Sequence, residues 1–128
     1  MAKFTLLVTS SPFDQQGSNT ALQFARAILD AGHQLCGVFF YQGGVLNANV
    51  LQCPPEDECH YYNAWQELAE KAVPMHVCVT AAARRGVISE SDARDQDMSN
   101  SNLTEPFQAS GLGQLVELMA QADRVVQF

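Results

Sequence analysis

The run "FTLLVT" at residues 4–9, then "SSPFDQQGS" at 10–18, then "NTALQFARAILDAG" at 19–32, decides how this chain is built. The first six residues are β-branched or apolar without interruption and read as a short buried strand. Pro12 and Gly17 break the pattern, so the polar stretch is a loop. From Ser18 onward Leu22, Ala25, Ile28 and Leu29 recur at helical spacing. Ser18 or Asn19 is the expected cap, and Gly32 the stop. Strand, loop and amphipathic helix together make a βα unit.

The same alternation continues along the chain. "HQLCGVFFY" (33–41) reads as a second strand, Gly43 and Gly44 as a turn, and "VLNANVL" (45–51) as an extension of that strand. Pro54 and Pro55 keep residues 52–60 irregular. A helix is expected over about 61–73, with Trp65, Leu68, Ala69 and Ala72 on one face and a Glu67/Lys71 pair one turn apart. "PMHVCV" (74–79) is a third strand, and a short helix starts near Ala81. Residues 89–102 mix helix and loop. Ser110 is expected to cap a last helix through Leu112, Leu115, Val116 and Met119, and "DRVVQF" (123–128) closes the chain as a strand. Alternating strands and helices predict one α/β domain over residues 1–128, with a mainly parallel sheet and helices on both faces. In such sheets functional groups gather beyond the carboxyl ends of the strands.

Composition bounds the function. The 128 residues are 47% hydrophobic and 16% charged, enough to bury one core without disulfides or metal. A net charge of −7 with only seven Lys and Arg argues against extended contact with nucleic acid, so any RNA is expected to be reached through partners. The N-terminus lacks the apolar core of a secretory signal, and no run approaches a membrane span, so a cytoplasmic location and free thiols are expected.

Against that acidic background, "HVCVTAAARRG" (76–86) places a cysteine at the end of an apolar run, before small residues and two arginines. Two readings of Cys78 are open. Free cysteine packs as a small hydrophobe in strands. A thiol at a strand end before a helix start also meets free N–H groups that favour the thiolate, and Arg84 and Arg85 could add to that field. His76, two residues earlier on the same strand face, is a candidate base or a structural histidine. Cys36 reads as core. Cys53 and Cys59 with His60 match no familiar zinc spacing, so no metal is assigned. "SSPFDQQGS" lacks the P-loop lysine and the G-x-G-x-x-G spacing, which leaves a nucleotide- or flavin-binding module as a weak competing class and no cofactor expected. Acidic residues 56–58 and 90–97 read as solvated loops.

The blocks "VFFYQGGVLNAN" (38–49), "CVTAAARRGV" (78–87), "SNL" (101–103), "SGLGQL" (110–115) and "ADRVVQF" (122–128), in this order, resemble the DsrE-like family of sulfurtransferases from Phe4 to Phe128. The resemblance implies a DsrE-like single domain that carries sulfur as a cysteine persulfide. In the family's "CV-x-AA-x-RRG" block the sulfur carrier corresponds to Cys78, with Arg84 and Arg85 in support. It further implies a heterohexamer with TusB-like and TusC-like subunits, a TusA-like donor and a TusE-like acceptor, serving 2-thiouridine formation at the tRNA wobble position. The tRNA would be reached only indirectly. Thr80 stands where that branch tends to have alanine. The dissimilatory sulfur-oxidation branch shares the cysteine block and "SGLGQLVE" and is the alternative, while the "VVQF" ending leans toward tRNA thiolation. A scaffold subunit that carries no sulfur is a further alternative.

Overall fold

The computed structural model describes residues 1–128. Five strands form one parallel sheet: β1 (Lys3–Val8), β2 (Gln34–Phe40), β3 (Met75–Cys78), β4 (Phe107–Ser110) and β5 (Arg124–Gln127), in the order β4-β3-β2-β1-β5. The helices are α1 (Gly17–Asp30), α2 (Tyr61–Ala69), α3 (Val79–Arg84), α4 (Glu90–Asp95) and α5 (Leu112–Gln121). The expected α/β fold with a parallel sheet is therefore present.

β2 sits at the centre of the sheet, and its residues from Leu35 to Phe40 are all buried, as a strand covered on both faces requires. On one face, α1 and α2 pack through Phe24 against Phe4 and through Trp65 against Phe40. On the other lies α5, where the Leu118 carbonyl accepts a hydrogen bond from Thr5 and the Leu118 side chain crosses Gly37. A Cβ on Gly37 would come within 2.8 Å of a Leu118 methyl, so the missing side chain lets α5 approach the sheet.

Four expectations need correction. The segment after β2 is a 3-10 helix, Gln42–Ala48, rather than more strand. Gln42 turns the chain at φ 51°, and Gly44 then lies directly on the Val8 carbonyl, where any Cβ would collide with that oxygen. Helix α2 stops at Ala69, and Ala72 is exposed at φ 64°, so neither Ala72 nor an ion pair between Glu67 and Lys71 contributes to it. The cap of α1 is Gln16, not Ser18 or Asn19; the Ser18 hydroxyl instead donates to the Ser10 carbonyl. Ser110 does not cap α5, whose N-cap is Gly111. It ends a strand, β4, that the sequence pattern did not suggest. That strand lies at the sheet edge with Gln108 and Ala109 exposed and only Phe107 buried, so it lacks an apolar signature.

The carboxyl edge of the sheet is tied by one buried side chain. Asn47 is fully enclosed; its amide donates to Ser18 Oγ at 3.0 Å and to the Gly44 carbonyl at 2.9 Å, and its Oδ1 accepts from Trp65 Nε1 at 3.0 Å. The Asn47→Ala variant leaves the indole N–H without its acceptor and is expected to lose about 2–4 kcal/mol of stability. Urea unfolding followed by the fluorescence of Trp65, the single tryptophan, measures this. An unchanged midpoint would mean that the amide is not holding the segment.

Candidate active site at the carboxyl end of strand β3

Strand β3 is buried along its length, from Met75 to Cys78. Its neighbours fix which way each side chain points. Met75 pairs with Val38 and Phe107, and Val77 with Phe40, on the face covered by α1 and α2. Alternation therefore sends His76 and Cys78 to the face of α5. Cys78 is paired in register with Ser110 of β4.

Cys78 is both the last residue of β3 and the N-cap of α3, with extended backbone (φ −62°, ψ 111°) and no side-chain capping bond. The first-turn N–H groups of α3 are thus adjacent to it, as the sequence suggested. Its environment is tighter than the small residues that follow would suggest: Cys78 is 6% exposed, and Ala81 and Ala82 are buried beside it. The thiol belongs to the hydrophobic core at its margin.

Arg84 and Arg85 lie at the other end of α3, both exposed. Six residues of helix set the Arg84 backbone about 9 Å from Cys78 along the axis. The Arg85 guanidinium donates to the Ala81 carbonyl at 3.1 Å, which satisfies the helix terminus. Arg84 borders a cavity of about 390 Å³ that begins at Val79 and Thr80 and is completed by Ala83, Ile88, Asp92 and Met98.

His76 was legible only as a neighbour of Cys78; its partner was not. Its Nδ1 lies 2.9 Å from Ser110 Oγ. Burial pushes the imidazole below its ordinary value of 6.5, and Glu117 of α5 opposes that shift. His76 is therefore neutral at pH 7.

The other cysteines are apart from this cluster. Cys36 is buried within β2, whereas Cys53 and Cys59 are exposed in the loop before α2. Partial burial pushes the Cys59 thiol up, against the pull of Arg26. His60 turns its Nδ1 toward Asn63 N at 3.3 Å and caps α2. The first loop and Cys59 border a hollow of about 380 Å³ whose charged lining is Asp14 and Glu58, a poor host for phosphate.

Because the unfolded chain protonates His76 at a higher pH than the fold does, His76 contributes stability that is complete above pH 6.5 and fades as pH falls. Wild type should lose stability from about pH 6.5 downward relative to His76→Asn, measured by urea midpoints at half-unit pH steps. Parallel curves for the two proteins would contradict this.

Known proteins share the whole of this architecture. The YchN protein from E. coli superposes with a TM-score of 0.80 over all of both chains at 21% identity, which shows the fold alone. The sulfurtransferase TusD of Cronobacter sakazakii is 49% identical over 127 residues, covering 98% of this chain and 99% of its own. A TusD homolog of Vibrio vulnificus is 47% identical, covering 98% and 97%. The DsrE protein of Allochromatium vinosum is 46% identical, covering 98% of each. The model of the DsrE/DsrF-like family matches residues 2–128. With a β3–α3 junction carrying Cys78 on the expected parallel sheet and a family match along almost its whole length, the chain belongs to the DsrE/DsrF-like family.

Proposed function

We propose that this chain is a sulfurtransferase that carries sulfur as a persulfide on Cys78. It takes the sulfur from a TusA-like donor and passes it to a TusE-like acceptor for 2-thiouridine formation at the tRNA wobble position. The observation that carries this reading is the position of Cys78, at a strand end and helix start, in a chain 49% identical to a protein named sulfurtransferase TusD. The chemistry asks little else of the protein. The Cys78 thiolate attacks the outer sulfur of a donor persulfide, the donor's S–S bond breaks, and the donor leaves as a thiolate; the acceptor thiol then repeats the exchange on Cys78. No electrons are gained or lost overall, and no cofactor takes part.

A 6% exposed thiol cannot meet a second thiol without local opening, so transfer includes a movement at the β3–α3 junction. Arg84 and Arg85, exposed at the far end of α3, suit docking of an acidic partner surface. With a net charge of −7, the chain itself avoids the tRNA. The site of action in this reading is the cytoplasm, where the four cysteines stay free.

Assembly with TusB-like and TusC-like subunits in a heterohexamer is supported by α5, which exposes Leu112, Val116 and Met119 at helical spacing, and by Val125 on the edge strand β5. The 46% identity to DsrE favours, as a second reading, the same chemistry in dissimilatory sulfur oxidation. Restoration of wobble 2-thiouridine in a strain lacking it separates the two.

Incubation with a cysteine desulfurase, a TusA-like carrier and labelled cysteine should place thiol-reversible label on wild type and none on Cys78→Ser. Equal label on both, or none on wild type with its partner subunits present, would leave the scaffold reading in its place. The Val116→Glu variant should fold as wild type yet elute as a smaller species when mixed with those subunits; unchanged co-elution would remove α5 from the interface.

A further inference from the structure

Three side chains from two strands share one end of the sheet: Cys78 at the tip of β3, Ser110 beside it on β4, and His76 one pleat back on the Cys78 face. Residues two apart on a strand are about 6.6 Å apart along the backbone, so the imidazole and the thiol are successive side chains on one face. The hydrogen bonds of Ser110 favour one state of the ring. Ser110 Oγ lies 3.3 Å from the Gln108 carbonyl and 2.9 Å from His76 Nδ1. A carbonyl only accepts, so the single hydroxyl proton satisfies Gln108, and Nδ1–H then donates to Ser110 Oγ. The opposite assignment forfeits one of the two bonds. In this tautomer Nε2 holds the lone pair.

We propose that His76 is the proton acceptor for the Cys78 thiol, and that Ser110 is the positioning residue that fixes its tautomer and ring orientation. The inference rests on the sulfur-carrier reading above. When sulfur is loaded, the Cys78 thiol proton passes to Nε2 as the sulfur attacks the donor persulfide. The imidazolium then returns that proton to the donor's departing thiolate, so that one thiol and one persulfide give one persulfide and one thiol. The pocket suits the task. His76 is 7% exposed, which keeps bulk water from supplying the base, and the shift that keeps it neutral works in the same direction. Of the elements packed around it, β2 presents Phe39, β4 presents Gln108 and Ser110, and α5 presents Glu117, the one charged group that bears on its titration.

The test is the rate of iodoacetamide alkylation at Cys78, resolved by peptide mass spectrometry, between pH 6 and pH 10. His76→Asn keeps an N–H in place of Nδ1–H for Ser110 but has no basic nitrogen. It is expected to react about tenfold more slowly than wild type at pH 7 and equally fast near pH 10, where hydroxide removes the proton unaided. Ser110→Ala should show part of the same loss, and Ser110→Thr should restore the wild-type profile. A merely structural role would shift the rate at every pH. Superposable profiles for His76→Asn and wild type overturn the proposal. Should His76→Asn not fold, identical profiles for Ser110→Ala, Ser110→Thr and wild type overturn it instead. No sulfur donor enters this measurement, so its failure is distinct from a failure of sulfur loading at Cys78.

Discussion

The Asn47 side chain is the constraint on which the functional end of the molecule depends. A parallel sheet leaves its carboxyl edge to be finished by loops, and loops carry backbone groups that need partners. Here one primary amide serves three segments at once: the start of α1 through Ser18, the 3-10 helix through Gly44, and α2 through the Trp65 indole. All of these groups are buried, so every bond acts in a low-dielectric setting where losing one exposes an unmet donor. Gly44 on the Val8 carbonyl and Trp65 against Phe40 then set how closely the 3-10 helix and α2 approach the sheet. The 3-10 helix in turn packs on β3 and α3, so the amide reaches the β3–α3 junction at one remove.

That indirect support bears on Cys78. In the function proposed above, Cys78 needs both a defined position and occasional access. Burial supplies the first: Cys78 lies in register with Ser110 and is followed by two buried alanines that fix the first turn of α3. Access has to come from α3 itself, which is only six residues long. A helix this short has little stability of its own and is held by what it packs on. In that reading the opening is a local release of α3, with the sheet left intact.

The elements that rest on local pattern were legible in the sequence. The βα unit at the N-terminus, the apolar run of β2, the prolines of the loop before α2 and the placement of Cys78 at a strand end all follow from periodicity and breakers. What escaped was set by distant partners. Phe107 is buried because it packs against Phe40 and Tyr62, which lie 67 and 45 positions earlier in the chain, and nothing in "FQAS" announces that. Ser110 looked like a helix cap by its neighbours, whereas its hydroxyl is claimed by His76, 34 residues earlier. "VLNANVL" has strand composition, yet the lack of room above Val8 and the buried role of Asn47 bend it into a 3-10 helix.

The two faces of the sheet differ in a way that links chemistry to assembly. The face under α1 and α2 is closed by aromatic contacts running from Phe128 through Phe24 and Phe4, and from Trp65 through Phe40 and Phe107 to Tyr62. The other face has only α5 over it, and α5 turns Leu112, Val116 and Met119 outward. Cys78, His76 and Ser110 belong to this second face. In the assembly proposed above, a subunit seated on α5 therefore acts on the same side of the sheet as the thiol. Covering that side withdraws water from the carboxyl edge, which strengthens the field of the α3 N–H groups on a thiolate and disfavours charge on His76. In the proposed function assembly and thiol activation are thereby linked, because the helix that presents the apolar stripe also carries the carboxylate, Glu117, that bears on His76.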